Sequence, residues 1–141
     1  MATLTNFVFY ANDPQTLSDF WARAFNYPLQ RFEGEFREML LANGLTDADL
    51  AKRGLAESTD GSGPRLFFHH ANGPKTGRNR VHMDLQTVQG RLPTNEELDA
   101  EKDRLVALGA SVVRLIDQDW GPAHEHYYQM QDPEGNEFCL H

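Results

Sequence analysis

The strongest constraint on the fold is that the second half of the chain repeats the order of elements found in the first half. The first half begins with the aromatic and β-branched run "NFVFYA", residues 6–11, and its helix starts at the "NDP" that follows. The second half begins with the strand pattern "RVHMDLQT", residues 80–87, and its helix carries a capping box formed by Thr94 and Glu97. In both halves two strands follow the helix, and we expect one more in each. This repeat predicts an α+β fold made of two similar modules.

The boundary between the modules is predicted in the turn-rich connector "ANGPKTGR", so that module one covers about 1–74 and module two about 75–141. Module one ends with the strand "RLFFHH", and "YPLQRF" is predicted as its second strand. Residues 34–63 form a helical insertion with two short helices, "EFREMLLANGL" and "TDADLAKRGL", the second capped by Thr46. A connection this long is typical of a lid or a binding loop, although a satellite helix that thickens the core is the alternative.

Composition excludes several classes of protein. The chain has 141 residues, which suits a single domain, and its net charge of −8 argues against nucleic-acid binding. No apolar run is long enough for a membrane span or a signal peptide. The one cysteine, Cys139, excludes an intrachain disulfide and is typical of the reducing cytoplasm. We therefore expect a cytoplasmic domain that binds neither nucleic acid nor membranes.

Alternation along the strands predicts a polar sheet face turned away from the helices. In "NRVHMDLQT" the residues Val81, Met83 and Leu85 share one face, while His82 and Asp84 share the other. The same parity in the other strands adds further groups to this second face: Asn6, Val8, Tyr10, Glu137, Cys139 and His141. The parity of "RLFFHH" stays ambiguous, because aromatic residues and histidines occupy both faces. If the sheet curls around the polar face, it makes a cleft suited to a ligand.

Three segments resemble one family. These are "PRLFFHH…GPKTGRNRVHMDL", "LVALGASVVR" and the closing "DPEGNEFCL", and they are similar to small glyoxalase-like domain proteins of the vicinal oxygen chelate superfamily. The resemblance implies two β-α-β-β-β modules forming a cupped mixed sheet with helices on its outer face, and a homodimer. It also implies a protein that binds a small organic molecule in the cleft, with catalysis of a lyase or isomerase type. A non-catalytic drug- or metabolite-binding resistance protein and a metal-dependent glyoxalase or dioxygenase are the alternatives.

The resemblance also implies positions for a metal. One ligand comes from the first strand and one from the last strand of each module, and His82 matches its position. Asn6 stands where the family has histidine or glutamine. Cys139 stands where the family has glutamate. The last strand of module one offers His69 or Phe67. We therefore predict no bound cofactor, with a divalent metal held by His69, His82 and Cys139 as the alternative.

His82 is the predicted proton-transfer group, because an imidazole can act as acid or base near neutral pH. Asp84 or His69 is predicted to orient it. Predicted substrate-binding residues are Asn6, Tyr10, Phe67, Trp120, Tyr128 and Cys139. The alternative for the whole set is a solvated sheet face whose groups bond to one another, with Cys139 as a small buried hydrophobe. His124 and His126 share another strand face, but the sequence offers them no third ligand.

Overall fold

The computed structural model describes all 141 residues and contains seven strands and four helices. In chain order these are β1 (Phe7–Ala11), α1 (Pro14–Ala24), α2 (Gly34–Ala42), α3 (Asp47–Ala51), β2 (Arg53–Ala56), β3 (Leu66–His70), β4 (Met83–Leu85), α4 (Asn95–Leu108), β5 (Ser111–Trp120), β6 (Ala123–Gln131) and β7 (Glu137–Leu140). The predicted α+β class is confirmed. The chain divides into two compact units, Met1–Pro74 and Lys75–His141.

The first unit contains a three-stranded sheet in the order β1-β3-β2, with β3 parallel to β1 and antiparallel to β2. Helix α1 begins where predicted, with the carboxylate of Asp13 accepting a hydrogen bond from the backbone N–H of Thr16. Its buried stripe covers one face of the sheet. The Phe9 ring lies 5.6 Å from Trp21 and 5.1 Å from Phe68, so these three aromatic residues form the centre of the core.

Two local predictions for the first unit are wrong. Residues 27–32 ("YPLQRF") form no strand. The chain instead turns at Asn26, which has a φ of 57°, and the hydroxyl of Tyr27 donates a 3.1 Å hydrogen bond to the carbonyl oxygen of Pro64. The second strand of the unit is β2, a segment that the sequence pattern assigns to the end of a helix. Gly54 explains its position, because a Cβ atom there would overlap the carbonyl oxygen of Pro14 and the side chain of Ser18 on α1.

The insertion contains α2 and α3, as the sequence predicts. The predicted cap of α3 is confirmed as a capping box, in which Thr46 and Asp49 each bond to the other's backbone N–H. Helix α2 buries none of its side chains, and Phe36 and Met39 are each about half exposed. The insertion therefore adds an exposed helix at residues 34–42.

The second unit contains a four-stranded sheet in the order β4-β7-β6-β5, in which only the β4–β7 pair is parallel. Helix α4 has the predicted Thr94–Glu97 capping box and ends at Gly109, which has a φ of 120°. Its own residues Leu98 and Leu105 form its buried side and are fully buried. Strand β4 is shorter than the predicted 80–87, and His82 lies immediately before its first residue. None of the four helices is long and apolar enough to cross a membrane.

Candidate functional site

The first unit brings three of its predicted site residues, Tyr10, Phe67 and His69, together on the sheet face opposite α1. Val8 pairs with Phe67 and Tyr10 pairs with His69 across the parallel β1–β3 ladder, so their side chains share a face. The His69 ring lies 6.0 Å from Tyr10 and 5.0 Å from Phe67. This settles the ambiguous parity of β3, because Phe68 packs on the α1 side and leaves Phe67 and His69 on the other.

Asn6 lies apart from that aromatic cluster, just before β1. It lines a hollow of about 520 Å³, and its side-chain oxygen accepts a 3.2 Å hydrogen bond from the guanidinium of Arg65. This oxygen is therefore already engaged by a cation, which makes it a poor ligand for a second one.

In the second unit a row of polar side chains crosses all four strands. Asp84 on β4 pairs with Cys139 on β7, Cys139 pairs with Gln129 on β6, and Gln129 pairs with Arg114 on β5. We call these four residues the cross-strand row. They lie on the face opposite to the buried Met130 and Phe138, since neighbouring residues in a strand point to opposite sides.

His82 joins the end of this row. Its Nε2 atom lies 3.1 Å from Oδ1 of Asp84, and Nε2 of His141 lies 3.8 Å from the same oxygen. The ring of His141 stacks on Tyr127 at 4.5 Å. A carboxylate only accepts hydrogen bonds, so the tautomer that fits this contact carries its proton on Nε2 of His82 and leaves Nδ1 as the basic nitrogen.

A cavity of about 340 Å³ opens on this face of the second unit. His82, Cys139 and Gln129 contribute to its wall, which also contains two guanidinium groups, those of Arg78 and Arg114, and one carboxylate, that of Glu137. Nε of Arg114 donates a 2.7 Å hydrogen bond to the side-chain oxygen of Gln129, which fixes its position. The cavity therefore combines an imidazole with two permanent cations, a combination suited to a small molecule that carries or develops negative charge.

Glu137 ties the connector between the modules to β7. Its carboxylate accepts hydrogen bonds from Nζ of Lys75 at 3.1 Å and from the backbone N–H of Asn79 at 2.9 Å. Burial alone would raise the pKa of Glu137, but these bonds outweigh it and leave the pKa below its usual value. Lys75 is thus occupied, and Arg78, the other basic residue of the connector, reaches the cavity.

Cys139 is a poor nucleophile in this setting. It is 7% exposed, and burial, reinforced by the charge of Asp84, raises the pKa of its thiol to about 11. The side chain is therefore a neutral thiol near pH 7, whereas nucleophilic cysteines need a lowered pKa.

The ligand atoms of His82, Asp84 and Cys139 all lie within 4.8 Å of one another.

Two of the predicted binding residues lie away from the cross-strand row. The hydroxyl of Tyr128 donates a 2.5 Å hydrogen bond to Asp99 of α4, and the ammonium of Lys102 lies 5.4 Å from the centre of its ring. Tyr128 therefore faces the helix, on the opposite side of β6 from Gln129. Trp120 ends β5 and is 71% exposed.

Sequence reasoning missed Arg114 and Gln129. Strict alternation along "ASVVRLID" does not give the parity of Arg114, because the register of β5 against β6 shifts between Val112 and Arg114. The adjacent valines at the start of β5 break the alternation and are the signal that could have found Arg114, whereas alternation along "HEHYYQMQ" could have placed Gln129.

The sequence matches the family model described as a glyoxalase-like domain over residues 6–141. No curated protein sequence matches the chain. Several solved structures match the chain. The fosfomycin resistance protein FosX from Listeria monocytogenes is 16% identical, with a TM-score of 0.64 over 100% of this chain and 91% of FosX. An enzyme of the glyoxalase/bleomycin resistance protein/dioxygenase family from Burkholderia phytofirmans is 14% identical, with a TM-score of 0.64 over 99% of this chain and 97% of the other.

A variant of FosX was solved in complex with Mn(II) and 1S,2S-dihydroxypropylphosphonic acid, and it matches this chain with a TM-score of 0.63, 15% identity and coverage of 100% and 90%. At such identities the likeness concerns the fold. The family match covers all but the first five residues, including both units and every residue of the cross-strand row.

Proposed function

The chain belongs to the glyoxalase-like domain family, and from that premise we propose that it binds a small organic molecule beside the cross-strand row and acts on it as a lyase or isomerase. The observation that carries the proposal is the 3.1 Å contact between His82 and Asp84 at the wall of the 340 Å³ cavity. Many activities share this fold, so the proposal depends on these side chains rather than on the family alone.

His82 is the proton-transfer group of the proposed mechanism. Asp84 holds the Nε2–H of the imidazole, so that Nδ1 can take a proton from an acidic C–H next to a carbonyl and return it elsewhere on the product. Arg78 and Arg114 would stabilise the negative charge that develops on the substrate oxygen. Cys139 contributes a neutral, buried wall.

Deuterium exchange tests the mechanism with simple carbonyl compounds in place of the natural substrate. The protein is incubated in D₂O with dihydroxyacetone and with the hemithioacetal of methylglyoxal and glutathione, and NMR follows deuterium entering the carbon-bound positions. We expect exchange to fall about 10²- to 10⁴-fold in His82→Gln, the range of a lost general base. The exposed histidine of β3 provides the matched control, His70→Gln, which should exchange at the natural rate. Unchanged binding and unchanged exchange in both His82→Gln and His82→Ala would refute the proposal.

A non-catalytic binder is the second candidate, favoured by the two guanidinium groups in a cavity that needs no reaction to hold an anion. FosX is a fosfomycin resistance protein, so fosfomycin is a suitable probe for this chain. Calorimetric binding of fosfomycin, abolished by Arg78→Gln and without any product over hours, would support sequestration and replace the enzyme proposal.

A metal-dependent enzyme is the third candidate, because the FosX complex contains Mn(II). The donors at His82, Asp84 and Cys139 are an imidazole, a carboxylate and a thiol, which suit Zn²⁺ better than the hard cation Mn²⁺. These three residues would hold the metal after the thiol loses its proton, and the metal would polarise a substrate oxygen. Two of the predicted metal ligands, His82 and Cys139, belong to this set, and Asp84 adds a third ligand in the second unit. The remaining predicted ligand, His69, lies on β3 of the first unit. Near-zero metal content in protein purified without added metal would remove this candidate.

Three finer features remain proposals. A role of His69 with its neighbours Tyr10 and Phe67 in binding is supported by the sheet face that they share, on which Tyr10 is 70% exposed. A homodimer is supported by the family resemblance, and a cytoplasmic location by the single unpaired cysteine. Cell fractionation with an antibody against the chain tests the location.

A further inference from the structure

The hairpin formed by β5 and β6 carries a second group of metal-ligating side chains. In its antiparallel register Asp117 pairs with His126 and Asp119 pairs with His124. Residues that pair directly, and residues two apart along a strand, share a face. Two carboxylates and two imidazoles are therefore held on one face of a two-stranded ribbon.

The side chains of this hairpin cluster, as we call Asp117, Asp119, His124 and His126, converge. Nε2 of His124 lies 2.9 Å from Oδ1 of Asp117, and its Nδ1 lies 2.9 Å from Oδ1 of Asp119. Nδ1 of His126 lies 3.7 Å from the same oxygen of Asp117, and the two imidazole rings are nearly parallel, 6.5 Å apart. One ligand atom from each of Asp117, His124 and His126 falls within 4.8 Å of the others. Asp117 is the third ligand that the sequence "HEHYY" does not supply by itself.

The cluster is separate from the cross-strand row. Gln118 and Glu125 lie between the cluster residues in sequence and bond to each other at 2.9 Å on the other face of the ribbon, which is the face of Arg114 and Gln129. The cluster residues are mostly exposed, so a hydrated cation has direct access. The carboxylates also create a local negative potential, because Asp117 and Asp119 each place an oxygen 2.9 Å from a ring nitrogen of His124.

We propose that the hairpin cluster binds a first-row divalent cation of the Zn²⁺ type through His124, His126 and Asp117, with Asp119 completing or orienting the set. Imidazole and carboxylate are ligands that Zn²⁺ accepts, and three protein ligands leave a position for water. The antiparallel ladder fixes the spacing between the two strands, and the contacts of His124 with Asp117 and Asp119 already hold these side chains together.

Paramagnetic NMR locates the cation. The untagged full chain is titrated with Cu²⁺, which binds such ligand sets more strongly than Zn²⁺ and broadens nearby resonances. We expect the first equivalent to broaden His124 and His126 before His82. Zn²⁺ affinity is then measured by competition with a chromogenic chelator. His124→Gln and His126→Gln should each weaken the hairpin step at least about tenfold, the loss caused even by outer-shell partners.

Two controls separate ligation from charge and from the other donor set. Glu125→Gln removes one negative charge from the same hairpin but from its opposite face, and should leave Zn²⁺ affinity within a factor of about two, as expected for a screened surface charge. His82→Gln should leave the hairpin step unchanged. The proposal is overturned if Cu²⁺ broadens other residues first, or if folded His124→Gln and Asp117→Asn proteins keep the natural affinity.

Discussion

The contact between His82 and Asp84 depends on two residues of one parity, two apart in sequence, at the start of a short strand. Alternation predicts that they share a face with about 6.8 Å of rise between them. The side chains close that distance to 3.1 Å, and Asp84 also lies within 3.8 Å of His141. Parity could therefore be predicted from sequence, whereas the contact itself depends on rotamers that a residue pattern does not specify.

Cys139 offers a prediction at the residue scale. Because the pKa of its thiol is raised to about 11, we expect alkylation by iodoacetamide to be slow at pH 7 and to accelerate as the pH approaches 11. The rate is measured by mass spectrometry on the folded protein across this pH range. Asp84→Asn removes the anionic neighbour, so its alkylation should accelerate at a lower pH. Rapid labelling of the folded natural protein at pH 7 would contradict the assignment of Cys139 as a neutral wall.

The pKa of Cys139 also affects stability. An acid whose pKa is higher in the folded state favours folding fully below its unfolded pKa of 9.0, and this advantage is lost as the pH rises towards 11. Relative to Cys139→Ser, we expect the free energy of unfolding of the natural protein to fall by about 2 kcal/mol over that interval. Urea unfolding of both proteins at pH 8 and pH 10.5 measures this fall. Between pH 6 and pH 8 the difference in unfolding free energy between the two proteins should stay constant.

Among the elements, α4 has the clearest local signal. The hydroxyl of Thr94 accepts a hydrogen bond from the backbone N–H of Glu97, and the Glu97 carboxylate accepts one from the N–H of Thr94. Thr94→Ala removes the first bond and should lower the free energy of unfolding by about 1 kcal/mol. Thr94→Ser keeps the hydroxyl and should retain most of the stability in the same urea titration. Equal losses in the two variants would show that the methyl group, rather than the cap, is responsible.

A second prediction at this scale concerns the contact of α1 with β2. Gly54→Ala places a methyl group against backbone and side-chain atoms of α1, and overpacking of this kind typically costs about 1–3 kcal/mol. Gly90→Ala is the control, because its new methyl group meets no neighbour and adds only the strain of a positive φ. Thermal unfolding should show the larger loss for Gly54→Ala; the reverse order would contradict the close packing.

Helix caps and strand parity could be predicted because their signals lie within a few residues. Asp13, Thr46 and Thr94 each cap the helix that the sequence assigns to them. Strand β2 could not be predicted in this way, since "RGLA" continues an apolar helical pattern and only the proximity of α1 explains its glycine. The position of Arg114 depends on a bulge, which is a tertiary adjustment between two strands.

For the molecule as a whole, the homodimer is the prediction open to a direct measurement. The sheet face that carries Tyr10 and Val8 leaves these side chains 70% and 49% exposed, and exposed apolar side chains favour association. We expect light scattering to give a mass near twice 16.0 kDa at high concentration and a lower average mass on dilution. A constant value of 16.0 kDa across the range would contradict the dimer.

The strand order of the second sheet has a consequence for biosynthesis. Strand β7 lies between β4 and β6, so the last strand of this sheet in chain order is the one that joins these two. The same holds in the first unit, where β3 lies between β1 and β2. Neither sheet can close on the ribosome until its final strand has emerged, and β4 has no partner strand in the nascent chain before then. Each unit should therefore complete its sheet in one late step, in which β3 pairs with β1 and β2 in the first unit and β7 pairs with β4 and β6 in the second.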